Sequence, residues 1–574
     1  MMSAMQTSHF APRQFLPETI DLTDTAQLTP VFEKLEKGLD QAASVADLEG
    51  WLRDHSEVSA ALSESSSLIH IAMTCQTDDP AREKAYMHIV EVVDPWLKPR
   101  QFGLMRKLTQ SPWFAQLPPL YKVFRRSVET QVKIYRDENV PRETEVAKLT
   151  QQYQKLSGSM TVQFDGQEQT LARMARIQEE PDRPRREAAW KTVAERRLQE
   201  ADKMEELFDK LLVLRNEIAH AAGFPDFRAY TFANYERFDY TPEDCLRFHD
   251  AVEQHIVPLV REMQEERRRK LGVEKLRPWD LAVDPDQRPP LHPFAESSEL
   301  LEKSHQIFSK LDPRLGDYFN ILRKQELVDL DNRKGKAPGG YQSTLSEARV
   351  PFIFMNAVGT HRDVETMLHE AGHAFHALAS REQPLHAYRG APIEFCEVAS
   401  MGMELLAAPH LNIFYAKEDA RRAQRDHLEG IIKFFPWMAT VDAFQHWIYT
   451  HPGHTREERA QFWLSLVDRF GGIEDYTGFE KARAHIWHRQ LHIFEIPFYY
   501  VEYGIAQLGA LQLWQASRRD LPSALDHYLA GLNLGGSRPL PELFEASGLA
   551  FDFTDKTIAP LIRNVKDALV ELAS

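Results

Sequence analysis

Met367-Leu368-His369-Glu370-Ala371-Gly372-His373-Ala374-Phe375-His376 is the stretch from which the rest of the chain can be read. Asp363 to Leu378 contains no proline, and its one glycine, Gly372, is internal. Val364, Met367, Leu368, Ala371, Phe375 and Leu378 recur at helical spacing, which predicts a buried amphipathic helix. Residues four apart on a helix lie one turn above each other on the same face. His369 and His373 therefore aim two imidazoles at one locus, a common way of holding zinc. Glu370 lies between them in sequence, within reach of a water in the metal's open position. The plainer alternative is a core helix whose histidines are only hydrogen-bonded.

A catalytic zinc takes three protein ligands and leaves a fourth position for water. After His373 the candidates for the third are His376, His386, Glu394, Glu397 and Glu404. A third ligand from the same helix, His376, would crowd the geometry. Ile393 to Leu406 has the spacing of a second helix, with Glu397 and Glu404 two turns apart on one face. Packed against the first helix, it can offer Glu397 to the metal and Glu404 to the free N–H of a ligand histidine. The alternative for either carboxylate is a solvated helix charge. One zinc per chain, bound this way, would lower the pKa of its water towards ~7 and polarise a carbonyl. Glu370 would take the proton and pass it to the leaving amine. The oxyanion so formed needs further donors. Candidates lie in the segment from His492 to Gly509, where Tyr499, Tyr500 and Tyr503 crowd into five residues. On a helix Tyr500 and Tyr503 share a side. Simple core packing would explain the same tyrosines.

Upstream, Lys334 to Tyr341 is a glycine-rich turn without the spacing of a phosphate-binding loop. Tyr341–Thr344 and Val350–Met355 read as two short strands joined by Leu345 to Arg349. A strand beside the motif helix could pair with an extended peptide, or it could be a plain structural hairpin.

The 574 residues carry 69 Lys and Arg against 85 Asp and Glu, a net charge of −16. That excess argues against a nucleic-acid surface and leaves no basic membrane patch. No apolar run approaches the ~20 residues needed to span a bilayer. Met1 to Phe15 is polar and lacks the apolar core of a signal peptide. Cys75, Cys245 and Cys396 are odd in number and far apart, so neither a disulfide framework nor a cysteine-type zinc site is indicated. A cytoplasmic protein is expected, and the scarcity of glycine leans the composition towards helix.

Along the chain, residues 1–20 read as a loosely attached leader. Helical patterning runs from about Thr29 to Leu108, with breaks near Asp79-Pro80 and Pro95, and again from Tyr121 to Leu156. Met160 to Thr170 alternates around Asp165-Gly166, the signature of an inserted β-hairpin. Arg183 to Ala221 reads as stacked helices, and Thr241-Pro-Glu-Asp as the capped start of another. Arg267 to Lys270 reads as a solvated helix end, and Arg277 to Pro293 as a loop.

The combination of His369-Glu370-Ala-Gly-His373, Glu397-Val-Ala-Ser and Phe498-Tyr-Tyr-Val-Glu-Tyr503 resembles the thimet oligopeptidase/neurolysin family of zinc peptidases, most of all its oligoendopeptidase F branch. Gly339-Gly-Tyr341, Pro351 to Asn356 and Val441 to Trp447 also look like that branch. The resemblance is specific from about Leu211 to Gly509. It implies a mainly α, elongated helical body with a deep central channel and a small hairpin or sheet near the active site. It also implies an N-terminal helical domain over residues 1–210 and a catalytic domain over 211–574. His369, His373 and Glu397 would bind zinc, and Glu370 would be the base. His492, Tyr500 and Tyr503 would steady the oxyanion and bind substrate, with His488 the other histidine available. The substrates expected are short unfolded peptides, with no nucleic acid or membrane partner and no oligomeric state specified. Two other functions remain open: release of dipeptides from a free C-terminus by the same chemistry, and a non-catalytic helical scaffold.

Overall fold

The computed structural model describes residues 9–573. Among them the architecture is mainly α, with five short strands in two small sheets. No helix among the described residues is long and apolar enough to cross a membrane. The chain divides into two compact units, each assembled from three separated segments.

The first unit comprises Met1–Lys133, Leu291–Gln424 and Ala506–Phe551. Its N-terminal part is a group of helices, Thr25–Gln41, Val45–Cys75, Pro80–His88 and Asp94–Gln110, closed over Leu28, Leu35, Leu48, Trp51 and Leu108. Near Pro95, where a break is expected, the helical run instead continues through a single π turn, Ile89–Val93, with Pro95 just after it in Asp94–Gln110. Residues 1–8 of the expected leader lie outside the described residues. The remainder of that leader is not loose. The Glu57 carboxylate accepts from the backbone N–H groups of Gln14, Phe15 and Leu16 at 2.8–2.9 Å, and Arg13 makes two bonds to Glu347 at 2.6 and 2.8 Å. Local composition cannot reveal anchors so far along the chain.

A three-stranded sheet follows, in the order β3 (Val328–Asp331), β5 (Val350–Ala357), β4 (Tyr341–Leu345). Central β5 is buried continuously from Val350 to Met355, as expected of a strand covered on both faces. It runs antiparallel to β4 and parallel to β3. The long helix Val45–Cys75 fixes the β4–β5 connection, because buried Glu64 accepts from the N–H groups of Glu347 and Ala348, both at 2.7 Å. β4 is thereby held at an edge of the sheet, beside the motif helix.

The second unit comprises Ile134–Pro290, Arg425–Ile505 and Asp552–Ser574. The predicted hairpin is there, as β1 (Thr161–Phe164) and β2 (Gln167–Thr170). Asp165 and Gly166 both take positive φ, 52° and 74°, as a tight two-residue hairpin turn requires. Arg183 to Ala221 is two helices, Arg183–Gln199 and Ala201–Ala221, separated at Glu200. Thr241 and Asp244 form the capping box of Pro242–His255. The loop from Arg277 is pinned where buried Asp280 receives Arg183 at 2.8 Å and Arg186 at 3.1 Å.

Candidate metal and active site

The motif lies on the helix His361–Ala379 in the first unit. Asp363 anchors its start by accepting from the N–H groups of Val358 and Thr360 at 2.9 and 2.8 Å. The six apolar positions read from the sequence are all at most 3% exposed. Beside it runs Ile393–Ala407, and Gly372 is what lets the two helices approach. A Cβ at that position would stand 2.5 Å from Ala399 O and 2.6 Å from Ser400 Cα, both backbone atoms. The contact sets the height of the second helix, and with it Glu397.

His369 Nε2 lies 3.4 Å and His373 Nε2 3.8 Å from Glu397 Oε2. One donor atom from each of the three residues falls within 4.8 Å of the others. Three ligands about 2.0–2.2 Å from a common centre stand apart by roughly such distances, so two nitrogens and a carboxylate oxygen fit a zinc ion. Of the five candidates for the third donor, Glu397 is the one in this group. Glu404 Oε1 lies 2.6 Å from His369 Nδ1, which leaves Nε2 turned towards the other donors. His376 is buried against Phe395, and the His386 N–H donates to Ser56. Ser400 Oγ donates to Glu397 Oε2 at 2.9 Å. The sequence reading missed this residue, although its i,i+3 spacing from Glu397 on one helix is a usable signal.

Charge and burial conflict at this site. Three carboxylates, buried Glu370 and Glu397 and half-buried Glu404, meet two half-buried imidazoles. Burial pushes Glu370 up to about 7 and raises Glu397. Burial works against a charged His369, yet Glu404, Glu397 and Glu370 outweigh it and lift that ring to about 9, while burial lowers His373. An excess of buried carboxylate of this kind is relieved by a cation. The Gln342 backbone on β4 opposes the rise in Glu370, so the edge strand and the carboxylate border one space. That space is a cleft of about 540 Å³ lined by Gly339, Gly340, Asn356, His369, Glu370 and Glu404 among others.

In the second unit, His492 lies on the short helix Leu491–Glu495, just ahead of the helix Tyr500–Ser517. Its ring centroid is 4.8 Å from that of Tyr500 and 6.0 Å from that of Tyr503, and Gln490 Nε2 meets its Nδ1 at 2.7 Å. Phe498, at φ 67°, makes the bend between the two helices, and its N–H is held by Gln445 Oε1 at 2.8 Å. His492, Tyr500 and Tyr503 are half-buried rather than core residues. His488 is elsewhere: it is buried, with Nε2 3.1 Å from Glu205 Oε1. The structure thus groups His492, not His488, with the tyrosines.

The model of peptidase family M3 matches residues 176–561, and that of the peptidase M3 N-terminal domain matches residues 15–135. The group B oligopeptidase PepB of Streptococcus agalactiae is 22% identical over 340 residues, 58% of this chain and 55% of that protein. An oligoendopeptidase F homologue of Borreliella burgdorferi is 23% identical over 334 residues, 55% of this chain and 54% of that protein. The matched stretch thus spans about half the length of these curated relatives. The solved structure of PZ peptidase A with an inhibitor superposes with a TM-score of 0.88 at 31% identity, covering 97% of this chain and 99% of that one. The chain belongs to peptidase family M3, in its oligoendopeptidase F branch.

Proposed function

We propose that the chain is a zinc-dependent endopeptidase that hydrolyses short, unstructured oligopeptides. One observation carries the reading: donor atoms of His369 and His373, on the helix that also carries Glu370, converge within 4.8 Å with one of Glu397 from the helix Ile393–Ala407. Zinc held there would supply Lewis acidity towards the scissile carbonyl and acidify the attacking water. Glu370 takes the proton from that water and hands it to the leaving amine. Glu404 fixes the orientation of His369, and Ser400 that of Glu397. An extended peptide pairs with the edge of β4, where main-chain hydrogen bonds favour chains without fixed structure over folded ones. His492, Tyr500 and Tyr503 are assigned to the oxyanion and to substrate binding, a role supported by the family motif and by their half-buried grouping. A cytoplasmic setting is in keeping with three free cysteines and no disulfide among the described residues.

The test is hydrolysis of an internally quenched peptide whose C-terminus is amidated, which blocks release from a free carboxylate. Cleavage that a chelator stops and added zinc restores is the expected result. Cleavage only when the C-terminus is free would replace the endopeptidase with a dipeptide-releasing enzyme. Chelator-resistant cleavage, or rapid digestion of a folded protein, would contradict the proposal.

A further inference from the structure

Cys245 and His249 stand one turn apart on Pro242–His255, and Asp442 and His446 one turn apart on Lys417–Thr450. All four belong to the second unit. Their exposures are 0, 1, 0 and 3%, so the group is sealed from solvent. Each helix contributes an i,i+4 pair, the spacing that also brings His369 and His373 together. Cys245 Sγ, an Asp442 oxygen and a His446 ring nitrogen lie within 4.8 Å of one another.

The contacts inside this cluster are not those of a satisfied hydrogen-bond network. His446 Nε2 is 3.2 Å from Asp442 Oδ2, yet it has no hydrogen bond, and neither does His446 Nδ1 or Asp442 Oδ1. Buried polar atoms are normally paired, because leaving them unpaired forfeits their hydration without return. Two ligands of one ion also sit at about this separation. His249 Nε2, by contrast, does meet Asp442 Oδ2 at 2.9 Å.

We propose that Cys245, Asp442 and His446 form a second metal site, distinct from the His369–His373–Glu397 group, with His249 orienting Asp442. A thiolate beside an imidazole and a carboxylate selects a zinc-class transition ion over calcium or magnesium. Cys245, Asp442 and His446 offer one donor each, three in all, and Asp442 Oδ1 and the His446 ring nitrogens have no hydrogen bond competing for them. Binding converts the Cys245 thiol to a thiolate and releases one proton to solvent. The ion ties two helices whose facing residues are 193 positions apart in sequence. That separation is why cysteine spacing alone carries no sign of the site.

Cobalt(II) distinguishes the two sites, because the first has no sulfur donor. The full chain is produced in zinc-depleted, cobalt-supplemented medium, and its absorption spectrum and metal content are recorded. The expected result is a thiolate-to-cobalt charge-transfer band in the wild type that persists in His373→Ala and in Cys396→Ser and disappears in Cys245→Ser. Metal content should fall by about one ion per chain in Cys245→Ser. A folded, cobalt-loaded wild type without a sulfur band would overturn the proposal and leave the four side chains as a buried polar cluster. The wild-type and His373→Ala spectra decide the matter even where Cys245→Ser does not fold. A band that survives Cys245→Ser would also overturn it.

Discussion

Glu404 holds His369 through Nδ1 at 2.6 Å, whereas Glu370 makes none of the close contacts among the three donor groups. Their substitutions should therefore separate. Replacing Glu404 by Ala removes the orienting acceptor, and metal affinity should weaken by about 10–100-fold, as measured by competition with a chromogenic chelator. Glu370→Gln keeps the shape and loses the base, so kcat should fall by about 10²–10⁴-fold while bound metal is unchanged. Equal metal loss in the two variants would show that the roles are misassigned. Most of this site was legible at the residue scale because i,i+4 and i,i+7 spacings on a helix translate directly into a shared face. The Gln342 backbone beside Glu370 was not legible, because the approach crosses from a strand and depends on β4 lying at a sheet edge.

At the scale of elements, the closest constraint is the crossing of His361–Ala379 and Ile393–Ala407 at Gly372. A methyl group there meets backbone atoms at 2.5 and 2.6 Å, and neither can rotate away. Gly372→Ala should cost about 1–3 kcal/mol by overpacking and weaken metal binding, since Glu397 moves with its helix. Urea unfolding together with metal titration tests this; unchanged stability and affinity would mean that the helices reposition freely. The hairpin at Asp165-Gly166 and the capped helix after Thr241 were readable because turn and cap chemistry is local. β3 was not: Val328-Asp-Leu-Asp331 is too short and too acidic to stand out, and only pairing with β5 makes it a strand. Residues Arg13 to Leu16 were misread for the same reason, since their anchors, Glu57 and Glu347, are remote.

For the molecule as a whole, acid stability draws on a pair of half-buried histidines remote from the catalytic group. Burial lowers both His55 and His386 to about 4 from an ordinary 6.5, with the His386 ring adding to the effect on His55 and Arg389 to that on His386. Between those values the unfolded chain binds more protons than the folded one. The contribution of this pair is therefore complete above pH about 6.5 and is lost as pH falls towards 4. Tm should decline across that window, and His55→Gln should flatten the decline; an unchanged slope would assign acid sensitivity to other groups. Each of the two units draws on three segments; the passage at Pro290–Leu291 falls in the loop read from Arg277 to Pro293, whereas that at Gln424–Arg425 lies inside the helix Lys417–Thr450, where nothing in the local sequence marks it.

The central claim is that His369, His373 and Glu397 hold the metal that Glu370 uses. Its most direct test measures metal content and quenched-peptide turnover side by side in the wild type, Glu370→Gln and His373→Ala. The account predicts equal metal in the first two with turnover in the wild type alone, and a loss of about one ion per chain in His373→Ala. Full turnover in Glu370→Gln, or undiminished metal in His373→Ala, would contradict it.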